Sequence, residues 1–172
     1  MIETTAHTET GAETVRLRRS VLFMPGSNER ALIKARSLSA DAIIMDLEDA
    51  VAPDSKAAAR DQITKALREG GYGSRECIVR VNALDTPWGE DDLRAVAHMN
   101  VHAVLIPKVE HAHDIIRCRQ RLAHAGACAE LPIWAMLETP TAVFNARQIS
   151  AACAHLTMRK IFVLLTRPSV RA

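Results

Sequence analysis

The feature that most constrains the fold is a short apolar run followed by a helical segment, a pattern that occurs five times with short connections. Short runs rich in Ile, Val, Leu and Ala are typical of strands that are buried on both faces. Strands that alternate with helices lie parallel in one sheet, with right-handed crossovers. The predicted strands are Ser20–Met24, Ala42–Leu47, Cys77–Asn82, His102–Ile106 and Ile133–Leu137, with Ile161–Leu165 as a candidate sixth.

The helical segments carry the expected end signals. Ser27 or Asn28 is a suitable N-cap for the first helix. Gly70 and Gly71 follow the second helix, as glycines past a helix end often do. The predicted helices run from the first cap to Leu38 and over Ser55–Glu69, Glu90–His98, Ala112–Ala125 and Thr141–Ala152.

Composition argues against several classes of function. The formal charge of +2 and the aromatic content of 3% give no basis for binding nucleic acid. No apolar run approaches the roughly 20 residues that cross a membrane. The four cysteines lack metal or redox spacing, so we expect reduced thiols in a cytoplasmic protein. Residues 1–17 are expected to form a disordered tail ahead of one partial barrel domain over residues 18–172.

A polar residue follows each predicted strand at its carboxyl end. No Gly-x-Gly-x-x-Gly or Walker sequence follows any of them, which argues against a nucleotide-binding doubly wound sheet. In a (β/α)₈ TIM barrel, active sites gather from several such strand ends. The pattern therefore predicts an α/β fold of the TIM-barrel type, incomplete here, with five to six βα units. The strand-end residues are Ser27/Asn28, Asp46/Glu48/Asp49, Arg80/Asn82, Lys108/Glu110 and Glu138/Thr139.

The densest of these strand ends is Asp46-Leu47-Glu48-Asp49, which holds three carboxylates. One acid suffices to cap the next helix, and Asp54 is placed to do so. The remaining acids therefore suit a polar site. Arg80 either pairs with Glu48 or Asp49 and neutralises buried charge, or uses its planar guanidinium to bind a substrate carboxylate or carbonyl, and the two roles are compatible.

Glu138 follows a nearly pure apolar strand and is expected at the barrel mouth. It is either a ligand of Mg²⁺, which proteins hold with one or two carboxylates plus water and substrate oxygens, or a surface acid before Pro140. Lys108 is less informative, because a lysine at a strand exit often reaches solvent. No Ser or Cys nucleophile is placed beside a histidine, so the acids and Arg80 favour metal-assisted carbon–carbon or thioester chemistry.

Five segments, in order, carry a resemblance to a known family. They are Arg19–Gly26, Asp46–Val51, Val79–Asn82, Ile106–Glu110 and Leu137–Thr139. Together they resemble the HpcH/HpaI aldolase/citrate lyase β-subunit family, over about residues 18–150. The resemblance implies a TIM barrel, Mg²⁺, and cleavage or formation of a C–C bond in a 3-hydroxyacyl thioester. Such a substrate is citryl-, malyl- or citramalyl-CoA, or the same acyl group on an acyl-carrier protein.

The resemblance also implies roles for individual residues. Arg80 binds the substrate and stabilises the developing enolate charge, and Glu138 binds Mg²⁺ beside the substrate. Glu48 and Asp49 orient metal-bound water or transfer a proton. Full-length relatives are commonly trimers.

The chain departs from the family after the sixth strand. Relatives carry a second metal-binding Asp in a Gly-Thr-Asn-Asp-Leu-like motif there, whereas no Asp or Glu follows Glu138 in this sequence. We therefore expect a C-terminally truncated barrel, with a frameshift as the hypothesis for its origin. Exposed strand edges and a single metal carboxylate predict low stability and impaired activity for the isolated chain.

These residues and the resemblance support three functions. The first is a Mg²⁺-dependent carbon–carbon lyase acting on an acyl-CoA. The second is a non-catalytic remnant that acts as an interaction partner of a full-length paralogue. The third is an acyl-CoA thioesterase on the same scaffold, which releases free acid and CoA with no keto-acid product.

Overall fold

The structure is a computed structural model that describes residues 18–155 and 161–162. This part of the chain forms one sheet of six parallel strands in sequential order. The strands are β1 Val21–Pro25, β2 Ala42–Asp46, β3 Glu76–Arg80, β4 Ala103–Ile106, β5 Ile133–Met136 and β6 Ile161–Phe162. The helices are α1 Glu29–Ala35, α2 Lys56–Glu69, α3 Gly89–Val96, α4 Ala112–His124, α5 Pro140–Phe144 and α6 Ala146–His155.

The strand order confirms the predicted fold class. The order of a doubly wound sheet reverses at a switch point, whereas these six strands follow one another without reversal. Sequential parallel strands with intervening helices are the arrangement of a TIM barrel. The described residues therefore form an incomplete barrel of this type, and the carboxyl ends of its strands lie along one edge.

The sheet is apolar on both faces. One face carries side chains such as Ile43, Met45 and Val79, which pack in one cluster with helix residues. The opposite face, which we call the inner face, carries the alternate strand side chains. Its apolar cluster consists of Ala42, Ile44, Ile78, Ala103, Leu105, Trp134 and Met136. Burial on both faces explains why the strands are continuous apolar runs.

Local signals set most of the element ends. The Asn28 side chain accepts a hydrogen bond from the backbone N–H of Ala31 at 3.0 Å, which confirms it as the cap of α1. Gly70 ends α2 with a φ of 68°, a backbone conformation that suits glycine. Gly26 has no room for a side chain, because a Cβ would lie 2.7 Å from the backbone oxygen of Asp46.

Two local predictions are wrong. Asp54 does not cap α2, which instead follows a 3₁₀ turn at Pro53–Ser55 and has no side-chain cap. The helix predicted over Thr141–Ala152 is two helices that meet at Asn145. The side chain of Asn145 donates to the backbone oxygen of Glu110 at 2.9 Å, and this bond to a neighbouring loop accompanies the break.

Some predictions fall outside the described residues. These are the tail over residues 1–17 and the sequence from residue 163 to the end, which includes most of the candidate sixth strand. Within the described ranges, no helix is both long and apolar enough to span a membrane.

Candidate functional site at the carboxyl ends of the strands

The carboxyl ends of β2 and β3 place an acid and an arginine side by side. Asp46 and Arg80 are register partners. Nε and Nη2 of Arg80 donate to the two carboxylate oxygens of Asp46 at 2.6 and 2.5 Å. Only 1% of Asp46 and 6% of Arg80 is exposed. Two parallel charge-assisted bonds fix the plane of the guanidinium, and the ring of Phe23 packs against it with its centroid 5.0 Å from Cζ.

Asp46 also shapes the loop that carries the other acids. Its carboxylate accepts hydrogen bonds from the backbone N–H groups of Glu48 and Ala50, at 2.8 and 3.1 Å. The first of these bonds closes a tight turn directly after β2. Asp46 was predicted at the strand end but without a role in the site. The alternation of side chains along a strand could have revealed this role. It puts Asp46 on the same face as Ile44 and Arg80 on the same face as Ile78, which is the inner face in both cases.

The predicted site residues Glu48, Asp49 and Arg80 lie together. Nη1 of Arg80 is 3.0 Å from a carboxylate oxygen of Glu48 and 3.7 Å from one of Asp49. Glu48 is buried, whereas the Asp49 side chain is 69% exposed. The buried acid is thus a direct partner of Arg80, and the exposed acid lies at the mouth of the site.

Glu48 is held by charge rather than by well-directed hydrogen bonds. Its second oxygen lies 3.0 Å from Nζ of Lys108. Both oxygens therefore face a cation, but neither accepts a hydrogen bond of good geometry from the described residues. Burial raises the pKa of Glu48, and the contacts with Lys108 and Arg80 oppose that rise only in part. A carboxyl group with a raised pKa is suited to proton transfer.

Glu138 lies just beyond the end of β5 and contacts Lys108. Its carboxylate accepts a hydrogen bond of 2.8 Å from the backbone N–H of Lys108. Lys108, whose side chain is 54% exposed as expected for a lysine at a strand exit, therefore contacts both Glu48 and Glu138. The structure brings Glu48, Asp49 and Arg80 into one cluster and links Glu138 to that cluster through Lys108.

A buried lysine supports the loop after β2. Nζ of Lys56 donates to the backbone oxygens of Leu47 and Glu48 at 2.7 Å each, and to the side-chain oxygen of Asn82 at 2.8 Å. Asn82 in turn donates to a carboxylate oxygen of Asp92 at 2.6 Å. Burial lowers the pKa of Lys56. Lys56 was not predicted from the sequence, because a lysine at the start of an amphipathic helix is usually on the surface.

Glu138 is the candidate ligand for a divalent cation among the strand-end carboxylates, because Asp46, Glu48 and Asp49 all face Arg80. They contain no group of three His, Cys, Asp or Glu side chains that could hold a metal ion. Mg²⁺ needs fewer protein ligands, since it is commonly held by one or two carboxylates and keeps water or substrate oxygens. The carboxylate of Glu138 fits that chemistry as a single ligand.

Two clefts open beside Lys108. One, of about 380 Å³, is lined by the loops after β3 and β4 and includes Arg117 and Thr139. The other, of about 280 Å³, is lined by Glu48, Asp49, Lys56 and Trp88 among others. Lys108 lines both. The space beside the acids is therefore large enough for a small acyl group.

Comparison with known proteins identifies close relatives. The chain is 51% identical over 133 residues to a (3S)-malyl-CoA thioesterase of Cereibacter sphaeroides, a match that covers 77% of this chain and 45% of that protein. It is 37% identical over 146 residues to the citrate lyase subunit beta of Escherichia coli, covering 82% of this chain and 48% of that protein. The chain thus spans about half the length of these curated relatives.

A solved structure has the same fold. The citrate lyase beta subunit of M. tuberculosis, complexed with oxaloacetate and magnesium, matches with a TM-score of 0.66 and 29% identity. The match covers 83% of this chain and 56% of that chain. The family described as HpcH/HpaI aldolase/citrate lyase matches residues 19–163. On this evidence, the chain belongs to the HpcH/HpaI aldolase/citrate lyase family.

Proposed function

We propose that the site acts in a Mg²⁺-dependent carbon–carbon lyase. The enzyme cleaves or forms a C–C bond in a 3-hydroxyacyl-CoA thioester of the malyl-, citramalyl- or citryl-CoA type. The observation that carries the proposal is Arg80, buried at the carboxyl edge of the sheet and oriented by Asp46 with Glu48 beside it. A fixed cation next to a proton-transferring acid suits a reaction that develops negative charge on oxygen. Membership of a family that includes citrate lyase subunits supports the same function.

The chemistry assigns a task to each side chain. Cleavage removes the proton of the 3-hydroxyl and breaks the C2–C3 bond. The bonding electron pair stays on the thioester fragment as an enolate, which then takes up a proton. Arg80 offers its charge to the substrate carboxylate or to the developing oxyanion. Glu48, with its raised pKa, accepts or returns a proton, and Asp49 assists at the mouth of the site.

Glu138 is the residue proposed to hold Mg²⁺. When bound, the ion supplies positive charge that polarises the oxygens of a keto acid. The other strand-end acids, Asp46, Glu48 and Asp49, face Arg80. Glu138 would then be a lone carboxylate ligand, so we expect weak binding and low activity from the isolated chain.

The test is product analysis with (3S)-malyl-CoA and Mg²⁺. A lyase converts malyl-CoA into glyoxylate and acetyl-CoA and releases no free thiol. We expect glyoxylate from the wild-type chain and its loss in Arg80→Lys and Glu138→Gln. Glu130→Gln removes a carboxylate outside the strand-end cluster and is the matched control that retains the activity. The appearance of free CoA without glyoxylate contradicts the lyase assignment.

A second candidate is hydrolysis of the thioester, which gives malate and free CoA. One observation favours it, namely that the relative with 51% identity is a (3S)-malyl-CoA thioesterase. The same assay separates the two reactions, because only hydrolysis releases a thiol. If the chain forms neither product and Mg²⁺ does not stabilise it, the remaining proposal is a non-catalytic partner of a full-length paralogue.

A further inference from the structure

Lys108 contacts acids that follow two different strands. It lies after β4, and its ammonium nitrogen is 3.0 Å from an oxygen of Glu48, which follows β2. Its backbone N–H donates at 2.8 Å to the carboxylate of Glu138, which follows β5. One residue thus reaches both acids, the first with its side chain and the second with its backbone.

The backbone of Lys108 adopts an unusual conformation. Its φ is 51°, and among the described residues no other non-glycine residue has a positive φ. The left-handed region is sterically unfavourable for a residue with a Cβ, whereas glycine adopts it freely. Backbone strain of this kind is typical of functional sites. The position therefore combines a backbone that favours glycine with a side chain that glycine lacks.

The charges around Glu48 show what that side chain contributes. Arg80 faces Glu48 from β3, Lys108 faces it from the loop after β4, and Asp49 adds a like charge from the same loop as Glu48. Arg80 occupies one oxygen of Glu48 and Lys108 the other. Without the ammonium group, one oxygen of a buried carboxylate would face no cation among these neighbours.

We propose that Lys108 is a positioning residue that holds two acids of the site at once, Glu48 through its ammonium group and Glu138 through its backbone N–H. The importance of the two acids for catalysis rests on the proposed function. The contacts of Lys108 with them are observed in the structure and do not depend on that proposal. The side-chain role and the backbone role are separable by substitution. Lys108→Met removes the ammonium group, Lys108→Gly does so while relieving the strain, and Lys108→Val disfavours the positive φ through its β-branch.

The experiment is carboxyl ¹³C NMR of the full chain labelled at glutamate, without metal or substrate. Glu48→Gln and Glu138→Gln assign the two resonances. In Lys108→Met and Lys108→Gly, the titration midpoint of Glu48 moves to higher pH, and the Glu138 resonance changes less than it does in Lys108→Val, which also loses the backbone conformation. In Lys108→Val, both signals change. Lys108→Arg restores the wild-type behaviour, and Lys34→Met on the surface of α1 changes neither signal.

Two results would overturn the proposal. One is a Glu48 midpoint in Lys108→Met that equals that of the wild type. The other is a Glu138 resonance in Lys108→Val that equals that in Lys108→Met. Because the measurement needs neither turnover nor Mg²⁺, its failure is distinguishable from a failure of the lyase assignment, which the product assay tests.

Discussion

The guanidinium of Arg80 binds both carboxylate oxygens of Asp46, its register partner on the neighbouring strand, at 2.6 and 2.5 Å. The pair lies on the inner face, and both side chains are almost fully buried. A guanidinium fixed in this way is oriented before any substrate arrives, so it does not have to be ordered during the reaction. Asp46 is therefore the residue on which the geometry of the proposed site depends most.

Asp46→Ala is expected to lower the free energy of unfolding by about 3–5 kcal/mol, because it leaves Arg80 buried without its main partner. The loss also removes the carboxylate that accepts the Glu48 and Ala50 N–H groups. Urea denaturation measures the change. Asp91→Ala is the matched control, since Asp91 is 55% exposed and its contact with Arg60 is 3.8 Å. A loss no larger than that of the control would contradict the structural role of Asp46.

The sequence was sufficient for the fold and for part of the site. Apolar runs such as Ile43–Met45, alternating with helices, predicted the parallel sheet because burial on both faces leaves a recognisable composition. Glu48, Asp49 and Arg80 were predicted to cluster because the carboxyl ends of parallel strands share one edge. The dominant contact of Arg80 was not predicted, because pairing it with Asp46 requires the strand register, which depends on packing of the whole sheet.

Other features depended on tertiary contacts that leave no local signal. The positive φ of Lys108 occurs at a residue type that does not favour it, so neither its backbone contact nor its strain was predictable. Lys56 is buried because three oxygens converge on it from two loops. The helix break at Asn145 accompanies a hydrogen bond to a loop that is 35 residues away in the sequence. In each case a long-range hydrogen bond outweighs the local preference.

The raised pKa of Glu48 predicts a specific pH dependence of stability. The native state binds this proton more tightly than the unfolded state, in which a glutamate titrates near 4.5. The protonated carboxyl of Glu48 therefore stabilises the folded state below about pH 4.5, and this contribution is lost as the pH rises through the raised pKa. We expect the free energy of unfolding of Glu48→Gln, relative to the wild type, to increase as the pH rises above about 4.5.

Urea denaturation between pH 3 and 8 measures this difference. Glu69→Gln is a control of opposite sign, because the hydrogen bond from Arg36 lowers the pKa of Glu69. Stability contributed by Glu69 is present above about pH 4.5 and is lost as the pH falls through the lowered pKa. A difference between Glu48→Gln and the wild type that does not vary with pH would contradict the raised pKa of Glu48.

Lys56→Met tests the support of the acid-bearing loop. The change leaves the buried side-chain oxygen of Asn82 without its ammonium donor, and an unsatisfied buried acceptor costs about 1–3 kcal/mol. The backbone oxygens of Leu47 and Glu48 lose the same donor but keep one bond each, from the side chain of Asn82 and from the N–H of Val51. We expect a loss of unfolding free energy of that order and faster hydrogen exchange of the backbone N–H of Glu48. Lys34→Met on α1 is the surface control. Wild-type exchange at Glu48 in the Lys56→Met protein would argue against this support.

The measurement that tests the central claim most directly is thermal unfolding with Mg²⁺ and oxaloacetate. A ligand that binds only the folded site stabilises it by about 1.4 kcal/mol at ten times its Kd, which raises the Tm by a few degrees. We expect this rise in the wild type and in Glu130→Gln, and its loss in Glu138→Gln and Arg80→Met. No rise in the wild type, or an equal rise in Glu138→Gln, would contradict the proposed Mg²⁺-dependent site at the strand ends.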